Sequence, residues 1–202
     1  MLVWCLDVQG ASGNHAGYVT YHFGLNGDRP VVGDWAGGGK TCIGTVRPAG
    51  AVLEWSLDGT GDGVWDPSAG DLRHLFGRAG DVPVVGAWAA GGRTEIGTYR
   101  ADLNGVDLVF SLDGGGTGVF QAPPDAVNVF GRAGDTGLVG DWSGDGRAKI
   151  GTYRPGTDAL DLIFSLDKDG DGTYDPAGGD IGSLTGFAGG GGGQVVTGAW
   201  KS

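Results

Sequence analysis

One apolar segment recurs along this chain and limits its fold more than any other feature. Each copy ends in Gly-Asp-Trp or Gly-Ala-Trp, and the copies occupy residues 31–35 (VVGDW), 84–88 (VVGAW), 138–142 (LVGDW) and 195–200 (VVTGAW). Their tryptophans are spaced by 53, 54 and 58 residues. Such a period is typical of propellers and solenoids, in which each repeat is one small structural unit. The sequence therefore predicts a repeat architecture.

Three further segments follow each copy in a fixed order. They are an Ile-Gly-Thr strand (residues 43–47, 96–100 and 150–154), an aromatic-Ser-Leu-Asp strand (55–58, 110–113 and 164–167, with a weaker copy at 4–7) and a closing Phe-Gly (23–24, 76–77 and 130–131, decaying to Phe187 before Ala). These pieces have strand lengths and are bounded by Gly, Pro and Asp. Apolar residues show no sustained helical period, so we expect very little helix.

Four short antiparallel strands per unit are the content of one propeller blade. In the unit of residues 78–131, we predict strands at 83–88, 95–100, 106–113 and 128–131. The predicted fold class is therefore all-β, a small β-propeller of about four blades. A stacked β-solenoid is the alternative, although its coils are usually shorter than this unit.

The two ends of the chain are expected to share the last blade. The chain starts in a third strand (residues 2–7) and a fourth strand (18–24), and it stops just after a first strand (195–200). A composite blade would remove exposed sheet edges. We predict one domain, 1–202, with units at about 1–24, 25–77, 78–131, 132–188 and 189–202. The second strand of the composite blade is missing, so a neighbouring copy is a candidate to complete it by strand addition.

Composition excludes several partner classes. The formal net charge is −11, which disfavours nucleic acid and anionic membrane surfaces because both attract basic proteins. No apolar run is long enough to insert into a membrane as a helix. The start of the chain does not have the pattern of a signal peptide, so an extracellular location would require a removed leader or a longer chain. Cys5 and Cys42 are expected to be two buried or edge thiols rather than a disulfide.

The strongest chemical pattern is an acidic loop after the third strand of a unit. In residues 167–175, carboxylates fall at positions 1, 3, 5 and 9, and a Gly at position 6 permits a sharp turn. Ca²⁺ takes six to eight hard oxygen ligands, which a tight loop of alternating inward residues provides. The predicted ligands of this loop are Asp167, Asp169, Asp171, the carbonyl of Thr173, and Asp175.

A second loop, residues 58–66, keeps the same register with one carboxylate fewer. Its predicted ligands are Asp58, Thr60, Asp62, the carbonyl of Val64, and Asp66. The middle loop, residues 113–121, has lost its later carboxylates and is predicted to be free of metal. For the two acidic loops, the alternative is that Asp and Gly serve only as turn formers. The sequence thus predicts one or two Ca²⁺ ions that stabilise loops and perform no chemistry.

Other recurring residues are expected to be structural. The tryptophans of the first segment should pack between blades, and Arg47, Arg100 and Arg154 could pair with Asp28, Asp81 or Asp135. In the hairpin that starts at Asp141, Lys149 could place its ammonium where a cation would sit and pair with Asp141 and Asp145. This hairpin and its two sister hairpins are interpreted as structural.

With G-D-W-x-G-x-G before an I-G-T-Y-R strand, and with D-x-D-x-D-G loops, nearly the whole chain resembles FG-GAP-like repeats. Such repeats build β-propellers of the integrin α-subunit type and are common in extracellular bacterial proteins. The resemblance implies an extracellular, non-catalytic adhesion or assembly domain. It also implies a calcium loop in the hairpin after the first strand, at Asp141, Ser143 and Asp145. There, Lys149 replaces the final acidic ligand, so this chain departs from the family pattern.

Catalysis is not favoured by the sequence. The histidines are His15, His22 and His74, and neither cysteine has a histidine neighbour in its repeat. Residues 37–41 (GGGKT) fail as a phosphate-binding loop, because the required earlier Gly is Asp34 and a strand follows.

We expect an adhesion, scaffold or self-assembly module, extracellular or on a cell surface, that contacts a protein or glycan surface. The alternative is a lectin-like propeller with one shallow sugar site per blade. In that case, Trp65, Phe120 and Tyr174 would provide the aromatic platforms, one in each full unit.

Overall fold

The computed structural model describes residues 1–7, 17–89, 92–156 and 161–185. Within these ranges the chain forms fourteen β-strands and no helix, so the predicted all-β class is confirmed. In particular, the described ranges contain no helix that is long and apolar enough to cross a membrane. The strands are β1 (Val3–Asp7), β2 (Tyr18–His22), β3 (Arg29–Gly33), β4 (Cys42–Ala49), β5 (Val52–Leu57), β6 (Leu72–Arg78), β7 (Val82–Gly86), β8 (Glu95–Ala101), β9 (Asp107–Leu112), β10 (Ala126–Arg132), β11 (Thr136–Gly140), β12 (Lys149–Pro155), β13 (Leu162–Leu166) and β14 (Ile181–Thr185).

All strand pairs are antiparallel, and each strand lies beside its neighbour in sequence. The described strands form a two-stranded sheet, β1-β2, and three four-stranded sheets, β3-β4-β5-β6, β7-β8-β9-β10 and β11-β12-β13-β14. We call these the N-terminal, first, second and third sheets. The predicted four-stranded antiparallel unit is therefore present three times. Residues 195–200, predicted to close a composite blade with β1 and β2, lie outside the described residues.

Two predicted strand boundaries were wrong. The run at 83–88 ends as a strand at Gly86, because the Trp88 ring folds back and its Nε1–H donates to the Ile96 carbonyl at 3.0 Å. The short fourth strand predicted at 128–131 spans Ala126–Arg132, because its pairing with β9 begins earlier and resumes after a bulge.

Successive sheets contact each other in the same way. The first strands lie side by side, β3 against β7 and β7 against β11. The fourth strand of one sheet lies against the second strand of the next, β6 against β8 and β10 against β12. This stacking is consistent with blades arranged in a small propeller.

The Phe-Gly segment forms a β-bulge that joins adjacent sheets. The pairing of β10 with β9 shifts register between Val129 and Arg132, and Gly131 within that shift has a φ of +87°. A Cβ on Gly131 would lie 2.6 Å from Cγ2 of Thr152 in the third sheet. Gly is therefore required here for both its left-handed conformation and the close approach of the next sheet.

The predicted arginine–aspartate pairs form, one at each sheet. The nitrogen–oxygen distances are 3.6 Å for Arg47–Asp28, 3.2 Å for Arg100–Asp81 and 3.2 Å for Arg154–Asp135. Each aspartate also accepts the backbone N–H of the residue after Phe-Gly, at Leu25, Arg78 and Arg132. The carboxylates are nearly fully buried, so these contacts fix the turn between one sheet and the next.

The prediction that the tryptophans pack between blades is confirmed for Trp35 and Trp88. Trp35 belongs to a buried cluster that includes Trp55 of its own sheet and Ile96 of the second sheet. Trp88 belongs to a second cluster that includes Phe110 of its own sheet and Ile150 of the third sheet. Burial of one such aromatic side chain contributes about 2–3 kcal/mol to folding. Trp200 lies outside the described residues.

Candidate functional site

The loop after the third strand has the same backbone frame in all three four-stranded sheets, and the first Asp builds it. Asp113 accepts the N–H groups of Thr117 and Gly118 at 3.0 and 2.7 Å. Asp167 likewise accepts those of Gly170 and Gly172 at 2.7 and 2.9 Å. These first aspartates are at most 2 % exposed, so they act as buried acceptors for the loop backbone.

A second buried aspartate closes each loop, and the sequence analysis missed it. Asp71, Asp125 and Asp180 stand at the start of the fourth strand and are 5, 6 and 8 % exposed. In the third sheet, Asp180 accepts the N–H of Lys168 and that of Asp175, each at 2.8 Å. The recurrence of Asp just before β6, β10 and β14 was the pattern that could have revealed these residues.

The loop of the third sheet brings three carboxylates together. One oxygen each of Asp167, Asp169 and Asp180 lies within 4.8 Å of the others. Asp167 and Asp180 are buried and Asp169 is exposed, so a cation could enter from the solvent side. Among the described residues, no other group of three or more acidic, histidine or cysteine side chains has its ligand atoms this close together. Carboxylate oxygens are the ligands that Ca²⁺ prefers.

The other predicted ligands of this loop lie outside that group. Asp171 and Asp175 are exposed, and each accepts a backbone N–H two residues later, from Thr173 at 2.7 Å and from Ala177 at 2.9 Å. The structure thus places Asp167 and Asp169 with Asp180, a residue that was not predicted.

In the first sheet, the predicted ligands of residues 58–66 are held mainly by the loop itself. Thr60 Oγ1 lies 3.3 Å from Asp58 Oδ1, and Asp62 accepts the N–H of Val64 at 2.8 Å. Asp66 is exposed and accepts both the N–H and the hydroxyl of Ser68. These contacts are those of Asx turns, which also stabilise loops that bind no metal.

Burial changes the electrostatics of the acidic loop in the third sheet. Desolvation raises the pKa of Asp167 to about 6, and this effect outweighs the N–H bonds from Gly170 and Gly172, which lower it. The nearby Asp180 carboxylate adds repulsion. A positive charge beside Asp167 would relieve both costs.

The hairpin after β11 is neutralised by a lysine, as predicted. Lys149 Nζ lies 2.6 Å from Ser143 Oγ, 2.8 Å from Asp145 Oδ1 and 3.9 Å from Asp141 Oδ1. The bond from Lys149 is the largest effect on Asp145 and lowers its pKa to about 2. The ammonium thus sits among the side chains that the family resemblance assigns to calcium.

The three loop aromatics contact the phenylalanine of the preceding Phe-Gly. The ring centroids are 5.9 Å apart for Trp65–Phe23, 6.5 Å for Phe120–Phe76 and 6.1 Å for Tyr174–Phe130. The loop rings remain 39–45 % exposed. Each ring therefore ties its loop to the neighbouring sheet and still leaves an edge in solvent.

Both cysteines are free thiols, as expected. Cys5 is exposed on β1, and Cys42 is buried at the start of β4. Burial raises the pKa of Cys42, so its thiol is poorly nucleophilic. His74, on β6, packs against Gly118 of the second sheet, and burial lowers the pKa of its imidazole.

Comparison with known proteins gives this chain no relatives. No family model matches it, and no curated protein or solved structure is significantly similar.

Proposed function

We propose that this chain is a non-catalytic, extracellular β-propeller module for adhesion or assembly, with Ca²⁺ stabilising at least the loop of the third sheet. One observation carries the proposal: the same contacts recur within and between successive sheets, and the recurring buried aspartates are used in them. The Asp–Arg pairs, the Phe-Gly bulges and the first aspartates of the loops all serve the architecture. What varies between units is the exposed loop surface, where a partner protein or glycan would bind.

Closure into a propeller is part of this proposal. The first strands of successive sheets contact each other, which is how innermost strands line a propeller axis. In a composite last blade, residues 195–200 would be the first strand, and the place of the missing second strand would lie between them and β1. Small-angle scattering from a closed ring should fit a compact disc, whereas an extended profile would favour the stacked solenoid.

Calcium is proposed at Asp167, Asp169 and Asp180, with Asp171, Thr173 and Asp175 as further oxygen donors on the same loop. The proximity of two buried carboxylates and one exposed carboxylate supports this assignment. A ligand that binds only the folded state raises the free energy of unfolding. The midpoint of thermal unfolding should therefore be higher in 1 mM CaCl₂ than in EDTA. An identical midpoint in both buffers argues against the ion.

Self-association is proposed through the incomplete blade. The edge of β1 that faces away from β2 has no strand partner among the described residues, and such edges pair readily with a strand of another chain. Light scattering over a hundredfold range of concentration should show a growing mass. A constant monomer mass would count against assembly but not against calcium.

A further inference from the structure

Two equivalent crevices separate successive sheets, and they differ greatly in volume. The crevice between the first and second sheets encloses only about 10 Å³, whereas that between the second and third sheets encloses about 320 Å³. Both are bounded by the same repeat positions, including the repeat tryptophan, Trp35 in one and Trp88 in the other. We call them the closed crevice and the open crevice. The difference in volume must therefore come from the few repeat positions at which the lining residues differ and from the directions in which those side chains point.

Larger side chains fill the closed crevice. Leu72 and His74 project into it from β6. The Arg93 guanidinium occupies it, bonded to the carbonyls of Gly115 and Gly116 of its own sheet at 3.4 and 3.3 Å and paired with Glu95 at 3.5 Å. Little space remains between the sheets.

Smaller side chains and one charge reversal clear the open crevice. Ala126 and Asn128 stand where the closed crevice has leucine and histidine. Lys149 replaces the glutamate, so Arg147 has no carboxylate partner at that position, and its guanidinium bonds instead to the Trp88 carbonyl at 3.3 Å. Lys149 itself turns to Asp145. Arg147 thus bridges the two sheets at the Trp88 carbonyl, whereas Lys149 stays bonded within its own hairpin.

The open crevice is lined by both apolar side chains and polar atoms. Trp88 and Leu112 are among its apolar residues. Asn128, on β10 of the same sheet, also lines it, and its amide makes no hydrogen bond within the described residues. Asp171 uses one carboxylate oxygen for Thr173 N–H, so in the calcium-free loop its other oxygen is available to a ligand. A ligand there would meet both donors and acceptors.

We propose that the open crevice binds one neutral monosaccharide unit. A volume of about 320 Å³ is at the lower end of the range for small-molecule sites. A pyranose matches the lining, because its hydroxyls both donate to carboxylates and accept from amides, and its C–H groups can contact the small part of Trp88 that is exposed. The site is a single crevice and does not use the exposed rings of Trp65, Phe120 and Tyr174.

Charge favours a neutral ligand over an ionic one. The ionisable lining residues are Arg147 and Lys149 against Asp167 and Asp171, so their formal charges cancel. Lys149 is already paired with Asp145. The net charge of −11 for the whole chain disfavours anions further.

The test is an NMR titration of ¹⁵N-labelled protein with methyl glycosides of glucose, galactose and mannose and with N-acetylglucosamine. We expect at least one sugar to bind with a dissociation constant on the order of 1 mM and to shift the side-chain amide signals of Asn128. The double variant A126L/N128H installs the residues of the closed crevice and should weaken that binding at least tenfold. V127L, an added methylene on the exposed face of the same strand, should leave it unchanged.

If the double variant does not fold, N128A takes its place. It removes the amide without adding bulk and should weaken sugar binding severalfold. The inference is overturned if no sugar binds at 20 mM, or if binding persists at full strength in A126L/N128H. Binding of L-alanine or glycine betaine, with no sugar bound, would also overturn it. Repeating the titration in EDTA and in CaCl₂ separates the sugar proposal from the calcium proposal. If calcium does not raise the melting midpoint, the titration in EDTA still measures sugar binding in the open crevice.

Discussion

The loops of the second and third sheets, residues 113–121 and 167–175, have the same frame but different chemistry. Both hold a buried first aspartate, and in both that carboxylate accepts the N–H of a glycine five residues later. The second loop has Gly115, Thr117 and Gln121 where the third has Asp169, Asp171 and Asp175. Because the frame forms without these later carboxylates, they are not needed as turn formers. This supports, by comparison, a separate role for them in cation binding.

The largest expected effect is at the glycine that both loops share. G118A and G172A would each place a Cβ at positive φ, +73° and +81°. The added Cβ would also overlap the His74 ring at Gly118 and lie 2.5 Å from the Asn128 side chain at Gly172. We expect each variant to lower the free energy of unfolding by about 3 kcal/mol, with strain and overpacking combined, and G118A to be the worse of the two. Urea unfolding measures both variants, and a loss below about 1 kcal/mol in either would show that the frame is not rigid.

The second prediction is that calcium stabilises the loop of the third sheet and not that of the second sheet. D125N and D180N alter equivalent buried aspartates that each accept two backbone N–H bonds. Without calcium, both variants should lose a similar stability of about 1–3 kcal/mol, since one acceptor becomes a donor. In CaCl₂, D125N should retain the upward shift of the melting midpoint, whereas D180N should lose it. If CaCl₂ shifts the melting midpoints of the two variants equally, the ion binds elsewhere or does not bind.

The third prediction concerns the charge that distinguishes the crevices. Burial raises the pKa of Glu95 more than Arg93 lowers it, and the nearby Asp113 carboxylate raises it further. One Glu95 oxygen is buried without a hydrogen-bond partner. Because the folded-state pKa lies above the ordinary 4.5, ionised Glu95 costs stability as pH rises above that value. His74 faces the same crevice, and burial lowers its pKa, so it stays mostly neutral at pH 7.

E95Q should therefore be as stable as the wild type at pH 4 and more stable than the wild type at pH 7. Thermal melts at the two pH values measure the difference. K149Q is the matched variant in the open crevice, and it should be destabilised at both values because it leaves Asp145 without its ammonium. A destabilised E95Q at pH 7 would mean that the ion pair with Arg93 outweighs the cost of burial.

The smallest effect is expected at the loop aromatics. F120A and Y174A remove rings that are 45 and 42 % exposed and contact one phenylalanine each. We expect a loss of about 1 kcal/mol in each, measured by urea unfolding. Sugar binding in the open crevice should not change in F120A, which would separate the crevice from a lectin-like site at these rings.

Much of the fold follows from local sequence. The period of Trp35 and Trp88, the strand-length apolar runs and the Gly-rich turns were enough to predict four-stranded antiparallel units. The pair between Arg100 and Asp81 was also predictable, because both charges recur in each unit, and the pair between Lys149 and Asp145 was predictable because the two residues share one short hairpin. Strand ends were predicted less well, since the fold of the Trp88 ring onto β8 decides where β7 ends.

The sequence by itself determined the all-β repeat, because hydrophobic period, turn residues and unit length are local properties of the chain. Only the tertiary structure decided which carboxylates meet. Asp180 lies eleven residues beyond Asp169 in sequence, yet the hairpin between β13 and β14 brings them within 4.8 Å. The open crevice was equally hidden, since its volume depends on how Ala126 and Asn128 of one sheet face Lys149 of the next. Contacts between sheets depend on packing over long separations, which no single repeat encodes.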